Sequence, residues 1–406
     1  MIFSRKIADE LFRAFNIQRW NDRLRPMHLY EMDKHSLKMI IAYCLGRYEE
    51  DAGKEIDWIK IIKFGIYELF RRIIISDIKS PIYDEIKKDH IVFKQLNKHI
   101  YAEIEKIIPD KNILEDISNY LFSDIDNLPN EELDINSQIL SAAHNYASYM
   151  EFNNIYTVNP YNYQNLKIQT ELLNKLSKHK KLIGIQKLMN RESISNFVDL
   201  CGQLRFQIRW SQTPRIPETS VLGHCLMVAI TGYFLTIEYT DCPKRIYNNF
   251  FCGIFHDLPE VATRDIISPV KRISNDLQNL ISDIEKKLSN EEIYPLLEPQ
   301  WVQEFKYYTE DEFSNKIIKD NKIINNLSIK EICEKYDSQE FNPIDGEIVR
   351  AADKFSAFLE AFYSCEIGIR SKDLVDAVQD IKSIYGNKKI HTIDFSELYE
   401  KYEISK

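Results

Sequence analysis

The chain has 406 residues, 44% of them hydrophobic and 12% aromatic, with a formal net charge of -9. That length has room for about two domains, and so apolar a composition excludes a disordered chain. The negative charge opposes adhesion to long nucleic acid or to an anionic membrane, so an anionic substrate has to be met by local cations or a metal.

Only 11 glycines and 13 prolines favour long helices over turn-rich strands, and the expected class is all-α. The first residues, MIFSRKIADELFRAF, carry charges throughout and have no signal-peptide apolar run. Seven cysteines, at 44, 201, 225, 242, 252, 333 and 365, form no CxxC pair; they read as reduced core thiols of a cytoplasmic protein.

Four blocks of the first 152 residues recur in the same order later in the chain. IADELFRAFNIQRW (7–20) parallels ISNFVDLCGQLRFQIRW (194–210), and both end in Arg-Trp, Arg19-Trp20 and Arg209-Trp210. A helical block at 33–47 places His35 opposite His224. The block at 64–82 parallels FCGIFHDLPEVATRDIISPV, and the block at 141–152 places His144 opposite Asp353. The expectation is two tandem helical bundles related by internal duplication: residues 1–152, a helical connector at 153–190, and residues 191–406 with a helical insertion at about 270–340.

The copies differ where chemistry would sit. Opposite His256-Asp257 the first copy has Tyr67-Glu68, and Arg71 stands in place of Glu260. The first copy therefore reads as a scaffold that has lost its ligands, with Glu68 and Arg71 close enough on one helix face to pair. The other reading lets His35, Glu68 and His144 hold a metal, against the opposing charge of Arg71.

In the second copy, residues 221–237 carry no formal charge; the segment is short for a bilayer span and reads as a buried core helix containing His224. Next come His256 and Asp257, side by side at the end of an apolar segment, then Glu260, Asp265 and Ser268-Pro269-Val270-Lys271. Around Asp353, positions 348, 349, 352, 355, 358, 359 and 362 are apolar or small, the stripe of an amphipathic helix with Asp353 at its buried edge. Two imidazoles and two carboxylates in these places are suitable ligands for one divalent cation. The one β-like run, around Arg72–Ser76, matches a helical part of the other copy.

The order His, His-Asp, Asp resembles the HD phosphohydrolase superfamily. The wider string, Arg209-Trp210, His224, HDxxE, Asp265 and the Ser-Pro-Val-Lys turn, looks like the YfbR-type 5'-deoxynucleotidases over roughly residues 192–290 and 345–375. The resemblance implies a metal-dependent phosphohydrolase that removes the 5'-phosphate from deoxyribonucleoside monophosphates. His224, His256, Asp257 and Asp353 would hold one divalent ion, whether Mn, Co, Mg, Zn, Ni or Fe. It makes Glu260, Asp265 and Asp257 the catalytic candidates, with Arg209 on the phosphate and Trp210 beside the sugar. Lys271 reads as a second phosphate cation or a solvated lysine, Asp265 as a sugar ligand, an acid or a helix cap, and Glu260 as a proton-transfer group or an exposed helix carboxylate.

Other chemistries of the superfamily remain open: a nucleoside triphosphohydrolase, a cyclic-nucleotide phosphodiesterase, or a catalytically weak nucleotide sensor. Enzymes of the YfbR type are generally homodimers of one short domain. The resemblance thus implies an internal pseudo-dimer, with further homo-oligomerisation open.

Overall fold

A computed structural model describes residues 1–123, 132–264 and 274–403. They divide into two compact units, one of residues 2–189 and the other of residues 190–406 together with Met1. Both are built of helices, with three small sheets among the described residues.

Helix starts follow the side chains that satisfy free backbone N–H groups. In the N-terminal unit α1 (Arg5–Phe12) is capped by Ser4 and α3 (Trp58–Ile74) by Asp57, on either side of α2 (Glu31–Asp51). Helices α4 (Ser80–Lys88), α5 (His90–Glu105) and α6 (Lys111–Phe122) follow, and Asp89 and Asp110 cap the last two. Asp134 caps α7 (Ile135–Val158) and Asn162 caps α8 (Tyr163–Ser177), after which α9 (Ile183–Met189) closes the unit. Helix α2 is buried almost all round and packs on α7 and α9. A two-residue ladder, β1 (Gln18–Arg19) against β2 (Leu29–Tyr30), brings Arg19 and Trp20 to the start of α2. Residues 153–190, read from the sequence as a connector, are the end of α7 and helices α8 and α9. These pack on α7 and α2 within the N-terminal unit.

The C-terminal unit starts with α10 (Ser193–Gln203). Its centre is α11 (Val221–Thr236), capped by Ser220 and buried at all sixteen positions. Among the described residues no helix is long and apolar enough to cross a membrane. Helices α12 (Pro243–Phe255) and α17 (Gly346–Glu366) pack on α11. Gly253 allows the close approach: a Cβ there would lie 2.7 Å from the Ala229 Cα. A fully buried, bidentate pair between Arg245 and Asp345, with both contacts at 2.7 Å, ties the start of α12 to the residue before α17.

Between them run α13 (Glu260–Thr263), α14 (Asn275–Leu288), α15 (Val302–Thr309) and α16 (Ile329–Lys335); α18 (Lys372–Tyr385) follows α17. The stretch expected to be a helical insertion also contains a hairpin, β3 (Asn315–Lys319) with β4 (Lys322–Ile324), and β5 (Ile344–Asp345) pairs with the other edge of β3. The hairpin is turned by Asp320 and Asn321, both with left-handed φ (51° and 58°), as a tight two-residue loop requires. The β-branched run before this Asp-Asn pair was the missed signal. The run noted instead, Arg72–Ser76, begins as the end of α3. The insertion has a supporting role: Phe305 on α15 packs on Phe255 of α12 at 4.7 Å between ring centroids, one residue before His256.

Candidate metal centre

His224 is the fourth residue of α11 and has no exposed surface. His256 directly follows α12, and its Nδ1–H donates to the Gly253 carbonyl oxygen at 2.9 Å. A carbonyl only accepts, so in the neutral ring Nε2 carries the lone pair. Asp257 comes next, and Asp353 projects from α17. Ligand atoms of His224, His256 and Asp257 all lie within 4.8 Å of one another. Asp353 Oδ1 is 3.1 Å from His224 Nε2, and Asp257 Oδ2 is 3.3 Å from His256 Nε2 and 3.8 Å from His224 Nε2.

Charge at this point favours a cation. His256 Nε2 is buried and faces the Asp257 carboxylate at 3.3 Å. Burial alone would lower the His256 pKa, but the Asp257 carboxylate outweighs it and, with Asp353, raises it to about 9. Burial would raise the two carboxyls; instead the neighbouring imidazoles, with Lys354 beside Asp353, hold both well below the ordinary carboxylate range. The residues fit a divalent ion: two imidazole nitrogens and the hard oxygens of Asp257 and Asp353 converge at one buried point.

The other sequence candidates fall into three groups. Arg209 and Glu260 line a cavity of about 870 Å³ with Asp257 and Asp353. Glu260 opens α13 and is largely buried, and its carbonyl oxygen accepts from Gln207 Nε2 at 2.9 Å. Trp210 is bound by its ring nitrogen: Nε1 donates to Glu360 Oε2 at 2.8 Å. Asp265 and Lys271 lie outside the described residues.

Glu360 is the residue that sequence reasoning missed. It is fully buried on α17. It accepts from Arg209 Nε at 3.2 Å, Trp210 Nε1 at 2.8 Å and Thr219 Oγ1 at 3.0 Å, and its Oε1 lies 3.5 Å from His224 Nδ1. It thereby orients both the phosphate-binding candidate and a metal-ligand candidate, as carboxylates behind ligating histidines do. The signal was available: Glu360 follows Asp353 by seven residues, and Glu151 follows His144 by seven. Glu312, on the same cavity wall, was also passed over; burial raises its carboxyl above the usual range, and the nearby His256 charge only partly opposes this.

The N-terminal unit has the same frame around a different centre. Arg19 Nε and Trp20 Nε1 donate to Glu151 Oε2 at 2.8 and 3.1 Å, and Trp20 and Trp210 both take left-handed φ values (53° and 61°). At the centre, His144 Nδ1 is 2.7 Å from Lys34 Nζ and 2.7 Å from Glu68 Oε1, and Lys38 Nζ bonds Glu68. Two buried lysine amino groups thus occupy the atoms that a metal would need. Among the described residues only His224, His256 and Asp257 form a metal-suited cluster, so the reading of His35, Glu68 and His144 as a metal site is not supported. Glu68 is held by Lys38 and His144.

Residues 201–382 match the family model described as the HD domain. The matched segment contains His224, His256, Asp257 and Asp353. The match covers a little under half of the chain and is a similarity to HD domains, which in general are metal-binding hydrolases. No curated protein matches the chain.

Proposed function

We propose that the C-terminal unit is a metal-dependent phosphohydrolase that removes the 5'-phosphate from deoxyribonucleoside monophosphates. The observation that carries this reading is the convergence of His224, His256 and Asp257 within 4.8 Å, with Asp353 bonded to His224, at the edge of a cavity large enough for a nucleotide. A divalent ion held there would supply Lewis acidity toward the phosphoryl group and lower the pKa of water.

The chain's own groups do the rest. Arg209, fixed by Glu360, presents a planar guanidinium to phosphate oxygens. Glu260 is the group placed to take a proton from water. Glu312, whose carboxyl is raised by burial, suits donation to the leaving oxygen. Asp257 Oδ2 lies 3.7 Å from Arg209 Nη1, which keeps the phosphate-binding side chain next to the ligand set.

The test is release of inorganic phosphate from a panel of deoxynucleoside monophosphates with Mn, Co or Mg. Absence of turnover on every nucleotide, with metal bound, sinks the reading. A second reading, a triphosphohydrolase, is favoured by Lys286, Arg350, Lys354 and Lys388 on the same cavity wall. Triphosphate as the product would select it.

The two units are also best explained as copies of one helical domain. The Arg-Trp pair, its left-handed tryptophan and its buried glutamate recur in each unit in the order of the sequence repeat.

A further inference from the structure

We infer that the N-terminal unit is a second ligand site, which takes a nucleotide by its phosphate and ring without any metal. It stands independently of the reaction proposed for the other unit. The unit encloses a cavity of about 540 Å³, within the range of small-molecule sites. Among the described residues six lysines and arginines line it against three carboxylates. The C-terminal cavity has five against eight. One cavity attracts an anion unaided, and the other needs an added cation to do so.

Two buried lysines lie behind the cavity lining. Lys34 and Lys38 are fully buried and hold His144 and Glu68, which line the cavity. On one wall Arg71 lies between the rings of Tyr83 and Tyr120, 5.6 and 5.3 Å from their centroids. Lys87 and Lys175 grip Asp84 beside it at 3.1 and 2.9 Å. This wall presents cations to a phosphate and aromatic faces to a planar ring.

Unsatisfied groups point the same way. His35 is 1% exposed and lines the cavity, yet its Nδ1 has no hydrogen-bond partner. His179, 3% exposed and also on the lining, has an unpartnered Nδ1 as well. Buried polar atoms without a partner cost about 1–3 kcal/mol each, and a ligand oxygen or a base edge would remove that cost.

The test uses the full chain carrying Asp257→Ala, so that the C-terminal centre cannot hold an ion. It is titrated in EDTA with the four deoxynucleoside monophosphates and their triphosphates, with deoxyadenosine as an uncharged control, and followed by calorimetry. The expected result is one nucleotide per chain, no binding of deoxyadenosine, and affinity lowered at least about tenfold by Arg71→Gln or Lys87→Gln. Should Arg71→Gln fail to fold, Lys87→Gln, a substitution at a partly exposed position, decides alone, with circular dichroism as the check. No binding at about 1 mM nucleotide, binding only after Mn is added to the unsubstituted chain, or affinity unchanged by Lys87→Gln would each overturn the inference.

Discussion

The two units place an arginine, a tryptophan and a buried glutamate in the same relation, yet their centres carry opposite solutions to one electrostatic problem. In the C-terminal unit two imidazoles and two carboxylates converge and gather positive charge; even a ring nitrogen of His256 is driven to hold a proton up to about pH 9. In the N-terminal unit the amino groups of Lys34 and Lys38 stand at that place, and burial lowers both, Lys34 to about 7. Burial, with Lys34 close by, lowers His35 to about 4. The comparison teaches that the scaffold and the chemistry are separable. A frame that fixes an arginine can surround either an ion taken from solution or amino groups carried by the chain, and only the first supplies Lewis acidity for hydrolysis.

The largest expected effect comes from removing a ligand. Asp257→Ala should bring metal content, measured by inductively coupled plasma mass spectrometry, from one ion per chain to none, and phosphate release to background. Two ions per chain in the unsubstituted protein would break the comparison, because the N-terminal centre would then also bind metal. Glu360→Gln should be milder, about 10–100-fold in metal affinity or turnover, since it acts through the orientation of His224 and Arg209. Its counterpart Glu151→Gln should lower the stability of the N-terminal unit by about 1–3 kcal/mol and leave metal content at one. Equal effects of the two substitutions on metal content would remove the distinction.

Next in size is Gly253→Ala. The new Cβ would meet backbone atoms of Ala229 at 2.7 and 2.9 Å, contacts that cannot move aside as a side chain can. The expected loss is about 1–3 kcal/mol, seen in denaturant unfolding, together with weaker metal binding because His256 lies three residues further on. Unchanged metal affinity would mean that the approach of α12 to α11 does not set the position of His256.

Much of the candidate metal centre was legible because chemistry forced its residues into improbable places. His224 interrupts a helix buried on every side, and Asp353 stands at the edge of an apolar stripe; both are costly positions for a residue without a partner. Helix was legible from the scarcity of glycine and proline. The hairpin at residues 315–324 was not, because its β-branched runs lie within dense charge that also suits helix. Glu360 was hidden for a different reason. A buried carboxylate acting through its neighbours leaves no motif of its own, and only the parallel with Glu151, seven residues after His144 in the N-terminal unit, marks it. The lysines of the N-terminal centre were overlooked because they stand opposite Gly223 and Met227 in the sequence repeat, positions that carry no candidate ligand in the C-terminal unit.

The smallest effect tests the comparison by pH. His35 is buried, and burial first, then the Lys34 charge, lowers it from 6.5 to about 4. The unfolded chain therefore binds a proton there before the folded one does as the pH falls. Stability falls with pH between about 6.5 and about 4, and by pH 5 the loss from this one imidazole is about 2 kcal/mol. His144 is lowered too, again by burial and then Lys34, and shifts stability in the same direction. His256 has the opposite sign: its folded value of about 9 gives a contribution complete below about 6.5 and lost only as the pH rises through 9. Amide hydrogen exchange in EDTA at pH 7 and pH 5, corrected for intrinsic rates, should therefore show loss of protection in α2 and α7 but not in α11 and α12. His35→Leu should reduce that loss. Equal loss in both units would mean that the lysine-filled centre and the metal centre do not differ in charge as their geometry requires.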